Sequence, residues 1–145
     1  MESNITLHTI KSPEIYKKAS EFIINWLRLY HNITQKALVL LSGGSTVNLY
    51  KDITKFIDEA DLDFSFLAFA QIAERFQPEK EEDVNTYQIK KTGLWKICRE
   101  KNIPYYLVSQ GGSLQESAEG YNKILEKLFQ EYTYKIAIMG RGEDV

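Results

Sequence analysis

Short apolar runs of strand length alternate along the chain with longer stretches whose apolar residues recur at helical spacing. Ile5 to Ile10 has the length of a strand. Ser12-Pro13 then opens a helix, with Ser12 as N-cap and Pro13 at the first helical position. Its stripe of Ile15, Ala19, Phe22, Ile23, Trp26, Leu27 and Tyr30 predicts a buried face that runs to about Tyr30. Ala37 to Leu41 is continuously apolar, as a strand covered on both faces requires. Leu49, Tyr50, Ile53, Phe56 and Ile57 mark the next helix, and Phe64 to Ala70 the next strand. A helix is predicted over Thr86 to Lys101, with Leu94, Ile97 and Cys98 inward. Ile103 to Val108 reads as a strand entered through Pro104. Ser113-Leu-Gln-Glu116 is a capping box, and Ala118, Tyr121, Ile124, Leu125, Leu128, Phe129 and Tyr132 follow it on one face. Tyr134 to Met139 is a last apolar strand that runs into Gly140-Arg141-Gly142.

This alternation predicts an α/β fold of three layers, a mainly parallel, Rossmann-like sheet with helices on both faces. No repeat, low-complexity tract or linker interrupts it, so residues 1–145 read as one domain. In such sheets ligands bind beyond the carboxyl ends of the strands, near a switch in strand order. The loops of interest are therefore 42–46, 71–87, 109–113 and 140–145.

Composition narrows the function classes. The formal net charge is -2 and no basic stripe is present, so nucleic acid is not an expected partner. No apolar run approaches membrane-spanning length, and MESNITLHTI lacks the order of a signal peptide, which predicts a cytoplasmic protein that does not engage membranes. The sequons Asn4-Ile-Thr6 and Asn32-Ile-Thr34 are then chance matches. Cys98 is the only cysteine and reads as a small core residue; it can build neither an internal disulfide nor a cysteine metal cluster. The acidic run Glu79 to Asp83 reads as a solvated loop.

Two clusters carry candidate chemistry. In Leu38-Val-Leu-Leu-Ser-Gly-Gly-Ser-Thr46, a glycine pair follows a buried strand and precedes a helix. Gly43 and Gly44 permit a sharp turn, positive φ and close approach to a ligand. The helix start directs free N–H groups and its positive dipole end at the same place, and Ser42, Ser45 and Thr46 add hydroxyls. Together these make a phosphate cradle. It is not a P-loop, lacking Gly-Lys-Ser/Thr, nor the G-x-G-x-x-G dinucleotide fingerprint. The alternative is a plain tight turn with Ser45 or Thr46 as helix cap. In the second cluster, Gln71-Ile-Ala-Glu-Arg-Phe-Gln-Pro78, Arg75 offers a planar charged fork for a phosphate or carboxylate. Glu74 is available to orient Arg75 or to act as an acid or base. The alternative is a solvated Glu74–Arg75 ion pair.

SGGST after a buried strand, ERF with a following Asn and Tyr, and IMGRGED after a final strand occur here in one order and spacing. In these the chain resembles the 6-phosphogluconolactonase and glucosamine-6-phosphate isomerase/deaminase family over nearly its whole length. Arg75 after Glu74, and the Asn85 to Tyr87 element, lean toward the lactonase side. The resemblance implies a hydrolase that opens a phosphorylated sugar lactone, with no metal and no organic cofactor. By the same resemblance the ligand would meet Ser42, Gly43, Gly44, Ser45, Thr46, Arg75, Asn85, Tyr87, Gly140 and Gly142.

The chain also departs from the family pattern. Ala73 stands where an Asp precedes the Glu-Arg pair, and Val47 where a Pro follows the SGGST threonine. Val84-Asn85-Thr86-Tyr87 replaces a Ser-Asn-Tyr triplet. The glycine motif should continue as Gly-x-Gly-x-Asp-Gly-His. Here Asp144 takes the aspartate position, and the general-base histidine would lie beyond Val145. The expectation is an N-terminal portion of the domain, a sheet incomplete at its C-terminus, and self-association through exposed strand faces. The two histidines, His8 and His31, fall outside the C-terminal loop set. That leaves Glu74, Asp83, Glu143 and Asp144 as carboxylates near the expected site. A glucosamine-6-phosphate isomerase/deaminase-like protein, or a non-catalytic sugar-phosphate-binding remnant, remains the alternative.

Overall fold

Two strands buried at every position, β1 (Ala37–Leu41) and β2 (Leu67–Gln71), form the centre of the sheet. A computed structural model gives this arrangement and describes residues 6–11 and 13–140. Two short strands complete the sheet, β3 (Tyr105–Tyr106) and β4 (Tyr134–Ala137), in the order β3-β2-β1-β4. Every pairing is parallel, so all four strands end on one edge. The helices are α1 (Ile15–Asn32), α2 (Val47–Glu59), α3 (Asn85–Lys91), α4 (Leu94–Glu100) and α5 (Leu114–Glu131).

The pleat sorts the side chains into two cores. Ala37, Val39, Leu41, Leu67, Phe69 and Ile136 pack with α1, α2, α3 and α4, whereas Leu38, Leu40, Ala68 and Ala70 pack against Leu128 of α5 and Tyr132 just after it. The expected three-layer α/β fold is the one observed. The expected capping box is present too, with Ser113 Oγ accepting from Glu116 N–H and the Glu116 carboxylate from Ser113 N–H. Cys98 is fully buried, and burial pushes its thiol up to about 12. Among the described residues no helix is long and apolar enough to cross a membrane.

Several expected elements differ. Residues 6–10 form no strand, because their alternation presents no inward apolar face, and Leu7 is 85% exposed. Ile5 and Ser12 lie outside the described residues. Helix α1 starts at Ile15, with no side-chain bond at its N-cap Glu14, and its apolar stripe is wider than the face it buries. Ile23 and Leu27 go under, while Phe22 and Trp26 stay exposed beside β4. The helix predicted over Thr86 to Lys101 is two helices, broken at Gly93, which turns left-handed at φ 86°. The strand predicted over Ile103 to Val108 keeps two residues. Beyond Tyr106 the Val108 N–H turns from the strand ladder to the side-chain oxygen of Gln71. At the other edge, Tyr134, Lys135 and Ala137 of β4 are exposed.

Candidate functional site

The sheet order places the reversal between β1 and β4. From β1 the chain moves outward through β2 and β3, then crosses back to the far side of β1. The carboxyl ends of β1 and β4 therefore flank the crevice where α/β sheets take ligands. Residues 42–46 and 138–140 occupy that place.

The two glycines have separate reasons. Gly43 has an ordinary φ of -97°. A Cβ there would fall 2.9 Å from Asn85 Nδ2 and closer still to Oδ1 and Cγ, so Gly43 is bare to admit the Asn85 side chain. Gly44 faces open space but carries φ +67°, which a residue with a Cβ adopts at a cost. Residues Gly44–Thr46 make a single 3₁₀ turn leading into α2. Thr46 is the N-cap residue of α2, as the tight-turn alternative has it, but neither its side chain nor any other makes a capping bond to the turn or to α2. The Val47 N–H bonds back to the Gly44 carbonyl, so the N–H groups left for a ligand or water are those of Gly44 and Ser45. Gly44 and Ser45 are exposed.

The hydroxyls divide likewise. Ser42 Oγ donates to the Ile138 carbonyl at 2.7 Å, tying β1 to β4, and Thr46 Oγ1 donates to the carbonyls of Ser42 and Gly43 at 3.0 and 2.8 Å. Both are committed internally, which leaves Ser45 as the hydroxyl free to meet a ligand. Gly140 lies over the turn; a Cβ on it would reach Thr46 Cγ2 at 3.2 Å. Beneath the turn sits Tyr50, which sequence reasoning placed only in an apolar stripe. It is fully buried, and its hydroxyl accepts the Ser42 N–H at 3.0 Å and donates to the Ser42 carbonyl at 2.6 Å. A polar tip at the loop end of an apolar helix stripe was the available signal.

The second cluster is built around Gln71 and Glu74. Tyr121 Oη holds Gln71 as Tyr50 holds Ser42, accepting its N–H and donating to its carbonyl, both at 2.6 Å. Burial, opposed by the Gln71 bond and aided by the Glu74 charge, pushes the Tyr121 hydroxyl up to about 12. The buried Gln71 side chain donates to Glu74 and accepts from Thr86 and Val108. The Glu74 carboxylate accepts from the N–H groups of Arg75, Asn85 and Thr86 and from Thr86 Oγ1, at 2.6–2.9 Å. It thus caps α3 from eleven residues upstream of Asn85. Burial pushes the Glu74 carboxyl up, but the bonds from Thr86, Gln71 and Arg75 outweigh it, and the net shift is downward. An ionised carboxylate with its lone pairs engaged is a poor general base.

Glu74→Gln is accordingly expected to destabilise the fold by about 1.5–3 kcal/mol, because the new NH₂ faces N–H donors. The wild-type contribution is present above the ordinary glutamate pKa and is lost as pH falls through the lowered folded value. Thermal midpoints measured from pH 6 down to 3 should fall for wild type and be flatter for Glu74→Gln. Parallel curves would place the carboxylate's role elsewhere.

Of the other expected site residues, Asn85 reaches the glycine loop. Arg75 does not: it lines a separate cavity of about 280 Å³ with Val108, Gln110, Ser117 and Tyr121, over α5. The ion pair with Glu74 is not formed; Glu74 takes the Arg75 backbone N–H instead. The Gln110 side chain fastens this segment, accepting from Gln77 N–H and donating to the Arg75 carbonyl, each at 2.8 Å. Tyr87 lies against Lys91 and lines a further cavity with Gln77 and Leu107. Gly142, Glu143 and Asp144 lie outside the described residues. His31 packs on Phe66, at the opposite edge of the sheet, and His8 rests 5.2 Å from Phe22. Among the described residues no three His, Cys, Asp or Glu side chains converge as a metal requires.

The family described as glucosamine-6-phosphate isomerases/6-phosphogluconolactonase matches residues 11–145. Among solved structures, a 6-phosphogluconolactonase from Plasmodium vivax is 25% identical, with a TM-score of 0.73 over 90% of this chain and 45% of that one. A 6-phosphogluconolactonase from Shewanella baltica OS155 shares the fold at 20% identity and TM-score 0.64, over 90% of this chain and 53% of its own. One from Thermotoga maritima does so at 17% and 0.63, over 85% and 56%. The chain thus spans about half the length of these structures. A search of curated protein sequences gave no match.

Proposed function

The chain belongs to the glucosamine-6-phosphate isomerase/6-phosphogluconolactonase family, and from that premise we propose that it carries the phosphate-binding part of a 6-phosphogluconolactonase-type site. The phosphate of a sugar acid or its lactone sits on Gly43, Gly44, Ser45 and the start of α2, with Gly140 over it and the sugar directed toward Asn85. The observation that carries this reading is the uncapped turn at the β1/β4 reversal, where Gly43 makes room for Asn85 and Gly44 alone takes positive φ. Uncapped N–H groups at a helix start are an anion's natural partners. Isomerase/deaminase chemistry is the less favoured reading, because Ala73 stands where that chemistry relies on a carboxylate. Gly142, Glu143 and Asp144 extend the proposed site, and Arg75 stands outside its phosphate end. The reading carries with it a cytoplasmic role in carbohydrate metabolism, in the pentose phosphate pathway.

Calorimetric titration tests it. 6-Phosphogluconate should bind with a dissociation constant of about 1 mM or tighter, and gluconate at least about tenfold more weakly, for want of charge-assisted bonds to the loop. Equal affinity for the two would remove the phosphate from the account.

A further inference from the structure

Ser42 is the last residue before the glycine pair, so its two backbone polar groups fix the direction in which the loop leaves β1. Neither is satisfied by the neighbouring strands alone. The N–H goes to Tyr50 Oη at 3.0 Å, and the carbonyl accepts from Tyr50 Oη at 2.6 Å and from Thr46 Oγ1 at 3.0 Å. Tyr50 and Thr46 hydroxyls stand 3.2 Å apart, and Thr46 Oγ1 lies 3.2 Å from Ser42 Oγ, which reaches across to β4 through Ile138. One buried phenol on the second turn of α2 thus joins the strand end, the turn and the next strand into a single set of bonds. A buried hydroxyl that accepts from the N–H and donates to the carbonyl of one residue holds the peptide units on both sides of it, and the Gly44 and Ser45 N–H groups follow from the second.

We propose that Tyr50 is a positioning residue for anion binding: its hydroxyl orients the two peptide units that meet at Ser42 and thereby aims the N–H groups of Gly44 and Ser45 at one point above the sheet. This rests on the sugar-phosphate reading given above. Tyr121 supplies a matched control, because it makes the same pair of bonds to Gln71 at the end of β2, from the α5 side. Removing the Tyr121 hydroxyl strands the Gln71 N–H and carbonyl, whereas removing that of Tyr50 strands the Ser42 N–H and leaves the carbonyl to Thr46 alone, so Tyr121→Phe should cost at least as much stability as Tyr50→Phe.

The test compares Tyr50→Phe and Tyr121→Phe with wild type by amide spectra and by titration with 6-phosphogluconate. Tyr50→Phe should move the Gly43, Gly44 and Ser45 amide signals in the free protein and weaken binding about fivefold or more, whereas Tyr121→Phe should weaken it less than about twofold. Should Tyr50→Phe fail to fold, Thr46→Val, which removes the second hydroxyl holding the Ser42 carbonyl, is expected to show the same selective loss. Unchanged affinity in Tyr50→Phe, or in Thr46→Val where that variant stands in, overturns the proposal. So do equal losses in the hydroxyl variant and Tyr121→Phe, which would mean general loosening. If wild type itself does not bind, the sugar-phosphate reading falls, and the positioning role falls with it.

Discussion

Gly43→Ala is expected to abolish measurable binding of 6-phosphogluconate and to destabilise the fold by about 1–3 kcal/mol, the range for forcing extra volume into a packed site. The cause is steric and local. At φ -97° an alanine suits the backbone, but its Cβ would occupy the space of the Asn85 side chain, 2.9 Å from Nδ2 and nearer to the rest of the amide. Asn85 would have to rotate, giving up the bond from its Nδ2 to the Ala73 carbonyl and pushing on the turn from the ligand side. The partner can be tested directly. In an Asn85→Ala background Gly43→Ala should cost much less, a coupling of about 1 kcal/mol or more in a double-mutant cycle. Gly44 behaves differently. Its Cβ position is empty, so Gly44→Ala should cost about 1–2 kcal/mol through its φ of +67° alone, and Gly44→Asn less, since Asn tolerates that region. Thermal melts and the calorimetric titration read both effects. Indifference to Gly43→Ala would mean that Asn85 does not press on the loop.

The second large effect concerns turnover. The 145-residue chain is expected to hydrolyse 6-phosphogluconolactone at a rate about 10²–10⁴-fold below that of a lactonase equipped with a positioned general base. A water attacking a lactone carbonyl at neutral pH needs a base within hydrogen-bond reach. His31 packs on Phe66 at the amino-terminal edge of the sheet, five residues and so roughly 16 Å from the end of β2 at about 3.3 Å per residue. His8 rests on Phe22. The Glu74 oxygens are filled by five donor groups, and its pKa is lowered. Neither described histidine nor Glu74 is placed to serve as that base, so hydrolysis above the spontaneous rate should be small and should rise with added imidazole, a base supplied from solution. Robust turnover without imidazole would contradict this, and Glu143→Gln and Asp144→Asn would then be the variants to examine.

Much of this was legible in the chain, for physical reasons that differ by element. β1 and β2 declare themselves because a strand covered on both faces must be apolar throughout. Helix α5 declares itself because Ser113 and Glu116 satisfy each other's N–H groups locally. The glycine pair marked the loop, yet the sequence did not separate the two demands, since Asn85 reaches Gly43 only through tertiary structure. The break at Gly93 was hidden because a lone glycine is also tolerated inside an unbroken helix. Thr86 to Val108 hangs on Gln71 and Glu74 through bonds spanning twelve or more residues, which no local pattern reveals. Arg75 was expected beside the phosphate. Instead the chain turns at Glu74, sending that carboxylate toward α3 and Arg75 over α5.

Backbone-amide spectra recorded while titrating 6-phosphogluconate show most directly whether the uncapped turn between β1 and α2 is the phosphate subsite. The largest shifts are expected on Gly43, Gly44, Ser45 and Thr46, with a smaller response at Gly140. Largest shifts around Arg75, Gln77 and Gln110, with the glycine turn unmoved, would contradict it.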